Sequence, residues 1–101
     1  MHPFDPAQAR AGQHLRGIDP SSLIAGRDEL EQTRLDAQKQ LITSGTKRHS
    51  SIVVNLNGTI IDGNHGVRAA VESGIGVDVL IMDFPFQPAF GPVANLPITR
   101  R

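Results

Sequence analysis

From the end of the apolar run TII into the run VRAAVESG the chain reads DGNHGVR, Asp62 to Arg68, a stretch dense in groups that hold or move charge. Gly63 can turn without a Cβ, and Asn64 can cap a helix that begins at His65. The N–H groups of Gly66, Val67 and Arg68 would then open from the first helical turn. Amides converging there suit an anion, because the field of a helix start favours negative charge. The predicted phosphate cradle is therefore Gly63, Asn64, Gly66, Val67 and Arg68.

A hydrolytic version of this cradle is simple to write. His65, at the rim, would transfer a proton near neutral pH, Asp62 would orient it, and Arg68 would stabilise charge on phosphoryl oxygens. If Asp83 came close to Asp62, the two carboxylates could share Mg²⁺. The same residues also suit an ordinary strand-to-helix connection. On that reading Asp62 closes a turn, His65 is an exposed hydrogen-bonding residue, and Gly66 lets the helix approach the sheet.

Other chemistries find little support. The 101 residues contain no cysteine, which excludes a thiolate nucleophile, a disulfide framework and Cys-based metal sites. The chain lacks the glycine spacing of a dinucleotide fingerprint and the lysine of a Walker loop. His2, His14, His49 and His65 are too scattered to predict zinc from spacing. Ten basic and ten acidic residues cancel, so nonspecific wrapping of nucleic acid has no overall electrostatic drive. A local patch remains open, with Arg34, Lys47 and Arg48 as candidates to steer substrate.

The elements that must position the turn are legible in part. A chain of this length suits one domain. Residues 1–17 carry glycine and proline breaks without sustained periodicity and are expected to form a flexible leader or linker, leaving 18–101 as the domain. Residues 28–43 read as a helix, with Asp28 and Glu31 at capping-box spacing, an apolar face of Leu30, Ala37 and Leu41, and Gly45 as its stop. SIVVNLNGTIID reads as a hairpin turning at Asn57-Gly58, covered on both faces. VRAAVESG is a short helix stopped by Gly74, with Arg68 and Glu72 one turn apart. VDVLIMD supplies a further strand, with Asp78 and Asp83 toward its two ends. The tail holds three of the four phenylalanines and four of the seven prolines, and is expected to wrap the body through Phe84, Phe86 and Phe90. No apolar run approaches a membrane span, and the N-terminus lacks a secretory h-region.

The run SIVVNLNGTIIDGNHGVRAAVESGIGVDVLIMD, with IDPSSL and the helix before it, resembles the ParB-like and sulfiredoxin-like superfamily. In that family a hairpin leads into a glycine and histidine turn, a short helix and another strand. The resemblance covers about two thirds of the chain. It implies a small α+β fold with a mixed sheet and short helices, and a turn that engages a nucleotide or a nucleic-acid phosphate. Gly63 and His65 match the family turn; Gly66 stands where the family carries arginine, and the cysteine of the reductase branch has no counterpart. The form GNHGVRAA is most similar to ParB-like C-terminal modules of bacterial polymorphic toxins. That likeness implies a nuclease or nucleotide phosphohydrolase, delivery as part of a larger secreted protein to a target-cell cytoplasm, and a dedicated immunity protein. Two readings compete with it: a noncatalytic module that binds a phosphate ligand or a protein, and a fragment that packs on a larger parent.

Overall fold

A computed structural model of the chain describes residues 1–45 and 52–100. The β-branched runs form the centre of the molecule. Strand β3, Ile52–Asn55, lies parallel to β5, Val77–Met82, with Ile52 opposite Val79 and Asn55 opposite Met82. Strand β4, Ile60–Asp62, turns back antiparallel to β3, and β1, His14–Ile18, runs antiparallel along the other side of β5. The four-stranded sheet has the order β1-β5-β3-β4. Alternation along β5 sends Val77, Val79 and Ile81 inward and leaves Asp78 and Met82 exposed.

The hairpin forms, with a different turn. Asn55 accepts the Gly58 amide at 2.9 Å, and its own amide donates to Thr59 at 2.8 Å. A two-residue primed turn needs positive φ at Asn57 as well as Gly58, and Gly58 alone takes it, at 88°. The pattern is a turn closed by one left-handed glycine. Phe4 lies over that glycine, where a Cβ would stand 2.9 Å from the ring.

Residues 1–17, expected from sequence to form a flexible leader or linker, contribute contacts to the body, this one among them. Phe4 belongs to the core, β1 completes the sheet, and the amides of Gly12 and Ile81 bond to Ile81 and Gln13. A bulge between Leu15 and Ile18 breaks the alternation that would have announced the strand; there the Asp78 carboxylate accepts the Gly17 amide at 3.1 Å.

Helix α1 spans Gln32–Thr43 and helix α2 spans Asn64–Ser73. The capping box expected at Asp28 does not form. Glu31 is the residue before α1 and makes no side-chain cap, because Leu30–Glu31 is instead a short strand, β2, parallel to β6, Ile98–Thr99. Of the expected apolar face only Leu30 is buried, and it lies in β2; Ala37 and Leu41 are exposed. Helix α1 packs on α2 through buried Leu35, and Lys39 reaches Glu72 at 2.6 Å.

Helix α2 buries Val67, Ala69 and Ala70, and stops where Gly74 turns left-handed at φ 69°. Its end is a Schellman closure: Gly74 donates to Val71 and Ile75 to Ala70. The C-terminal segment does wrap the body, through Val93 and Leu96 rather than the phenylalanines. The whole is a compact α+β fold with a mixed sheet and two helices. Among the described residues no helix is long and apolar enough to cross a membrane.

Candidate functional site

The turn after β4 opens onto a pocket of about 420 Å³. Four pieces of chain wall it: Gly26 and Arg27 from the loop before β2, Arg34 and Gln38 on α1, Ile52, Ile61 and Asp62 at the sheet end, and Gly63 to Gly66 at the start of α2.

Gly63 is the hinge. Its φ of 100° carries the chain from β4 directly into α2, and an added Cβ would press on Ile52 at 3.2 Å. Gly63, not Asn64, is the residue before the helix, so α2 starts one residue earlier than expected. This changes which amides precede the first helical bond. Val67 already donates to the Gly63 carbonyl at 2.9 Å, which removes Val67 from the predicted cradle. The amides of Asn64 and His65 precede that bond and lie at the pocket wall.

The Asn64 side chain does not cap α2. Its Oδ1 accepts the Gly26 amide at 2.9 Å and fastens the loop before β2 to the turn. That loop is held along its length. Ile24 and Ala25 exchange backbone bonds with Gly58, Ile60, Phe90 and Gly91. Gly26 runs so close to Ile60 that a Cβ there would collide with the Ile60 carbonyl. Arg27 therefore leaves a fixed backbone.

Arg27 is the functional candidate that sequence reading missed. It lines the pocket half-buried, and its Nε is buried without a hydrogen-bond partner among the described residues. A lone arginine in an acidic loop carries no motif, and only the fold brings it beside the turn. Arg34, predicted as a steering residue, does reach the pocket. Lys47 and Arg48 lie outside the described residues.

His65 is 7% exposed, not a rim residue in open solvent. Its Nε2 accepts the backbone amide of Glu31 at 2.9 Å, tying the start of α2 to the start of α1. An accepting Nε2 assigns the ring proton to Nδ1. Burial, then the nearby charges of Arg27 and Arg34, lower its pKa below the usual value, with Glu31 opposing. The imidazole is thus held neutral, as a structural acceptor with one N–H to offer.

Arg68 is not at the pocket. Its Nε bonds Glu72 at 2.9 Å, and its NH1 donates to the carbonyls of Val93 and Leu96 at 3.0 and 2.8 Å. Arg68 sits three residues past His65 and clamps the C-terminal segment. Burial alone would raise the Glu72 carboxyl; hydrogen bonds from Lys39 and Arg68 outweigh it and hold the group below its ordinary value.

Asp62 stands exposed at the pocket edge. Asp83 does not join it. Asp62 is level with Val53 and hence with Leu80, whereas Asp83 lies three residues further along and two strands across, more than about 10 Å away. The pair cannot share Mg²⁺. Among the described residues no three His, Cys, Asp or Glu side chains gather as a metal site. The charged lining is two guanidiniums and one carboxylate, a set with a net positive charge suited to an anion.

No protein-family model, curated protein or solved structure matches this chain.

Proposed function

We propose that the pocket at the start of α2 binds the phosphate group of a nucleotide or of a nucleic acid, in a domain of ParB/sulfiredoxin-like type. The observation that carries this reading is Arg27: a guanidinium on a fixed loop, its Nε buried without a partner among the described residues, beside the first residues of a helix. A buried donor without an acceptor is costly, and a turn of the guanidinium toward the pocket would give it a phosphate oxygen as acceptor. Arg34 adds a second positive charge, and the helix start adds its field.

Noncatalytic binding fits the histidine best. A proton shuttle at His65 would have to work against the Glu31 amide on Nε2 and against a lowered basicity. The hydrolytic, toxin-type reading rests on a different residue. Asp62 borders the pocket, where it could accept a proton from water beside a phosphate held by Arg27 and Arg34. On that reading an immunity protein is the natural partner.

Calorimetric titration with a panel of nucleotides and a short oligonucleotide, paired with a turnover assay, tests both. The binding reading expects heat of binding for wild type, a loss of roughly tenfold or more in affinity for Arg27→Gln, and no turnover. Turnover abolished by Asp62→Asn with binding retained would establish the hydrolytic reading instead. No binding to any phosphate ligand would overturn both.

A further inference from the structure

The segment that follows β5 presents its aromatic side chains outward. Phe84 and Phe90 are each 45% exposed and Phe86 is 93% exposed, with Met82 beside them at 36%. Four of the seven large apolar side chains exposed among the described residues fall in this short stretch. The backbone beneath them is not loose. Asn55 brackets Phe84, donating from Nδ2 to its carbonyl at 2.8 Å and accepting its amide at 2.9 Å. Gln87 donates to the Ile60 carbonyl at 3.1 Å, and Phe90 and Gly91 pair with Ala25 at 2.9 and 2.8 Å. Buried polar anchors thus hold an apolar display, and little ordering is left for a docking event to impose.

The charge pattern indicates what it meets. From Phe84 to Thr99 the sequence contains no Asp, Glu, Lys, Arg or His, in a chain that is 20% charged. A two-fold contact places each surface patch against its own copy, so any charge near the axis meets its like. The stretch from Phe84 onward escapes that repulsion, and Asp83, exposed beside Met82 at its edge, is the one charge in the segment that two copies must hold apart. At these exposures the four side chains offer roughly 450 Å² of apolar surface, and about 900 Å² when doubled, the size of a weak interface.

We infer that the Met82–Phe90 segment is a self-association surface, through which two copies of this chain form a weak dimer with Phe86 at its centre. This does not depend on what the pocket binds.

Sedimentation equilibrium of the full chain over about a hundredfold range of concentration tests it. The mass should rise from 10.9 kDa toward twice that value. Phe86→Ser should weaken association by about tenfold or more, as expected for a central aromatic. Because Phe86 is almost fully exposed, that variant should keep the wild-type circular dichroism and melting; Phe90→Ser provides a second test should it not. Added salt should leave association unweakened. A wild-type mass fixed at 10.9 kDa, which would leave the surface to a different protein, overturns the inference. So does a dimer that both substitutions leave unchanged, or one that salt dissolves.

Discussion

Arg68 and Arg27 show what separates an arginine that holds a protein together from one that awaits a ligand. Arg68 belongs to the turn motif and has every reason, on paper, to face a phosphate. In the fold it spends its donors on Glu72 and on two carbonyls of the C-terminal segment. Arg27 belongs to no motif, yet at the wall of a pocket its Nε is buried with no acceptor among the described residues. Burial with partners is architecture; burial without them, on a fixed backbone beside a helix start, is readiness for an acceptor.

The sharpest way to break this contrast is to disturb the backbone from which Arg27 leaves. Gly26→Ala would drive a methyl into the Ile60 carbonyl, and should cost about 3 kcal/mol or more in a denaturant titration. A variant as stable as wild type would mean the loop is free to shift. Next in size is Arg68→Ala, which strips two carbonyls and the Glu72 carboxylate of their donor. It should lower stability by about 2 kcal/mol and leave phosphate affinity unchanged. Impaired binding in a folded Arg68→Ala would return that residue to the site. Arg27→Gln should do the reverse, weakening binding while shifting stability by less than about 1 kcal/mol, since its Nε has no partner among the described residues to lose.

The smallest effect is the pH dependence of the histidine latch. The folded protein holds His65 neutral below its usual pKa near 6.5, so between that value and the lowered one the unfolded chain binds the proton more readily. Its contribution is present in full above pH 6.5 and fades as pH falls through the folded value. Wild type should therefore lose stability on acidification from neutral pH, and His65→Gln should flatten that slope. The lowered Glu72 carboxyl acts in a separate, more acidic window, with stability present above its usual range and lost below it. An equal slope in both proteins would remove His65 from the latch.

Local patterning revealed much of the scaffold. The strand VDVLIM, the hairpin around Asn57-Gly58, the stop at Gly74 and the Arg68–Glu72 pair are written in periodicity and turn chemistry over a few residues. What escaped depends on contacts between distant segments. β2 exists because Leu30 and Glu31 pair with Ile98 and Thr99, which overrides a capping-box spacing. Phe4 joins the core because Gly58 leaves it room. At the site, the turn itself was legible, whereas Arg27 and the Glu31 amide on His65 come from across the chain. Shifting the helix start by one residue also exchanged the roles of Gly63, Asn64 and Val67.

The most direct measurement is an amide-resolved NMR titration with inorganic phosphate, run on wild type and on Arg27→Gln. Shifts should concentrate at Gly26, Arg27, Asn64, His65 and Gly66, and should vanish in the variant while its remaining spectrum stays in place. Silence at those amides in wild type, or an undiminished response in Arg27→Gln, would contradict a phosphate site built on that guanidinium.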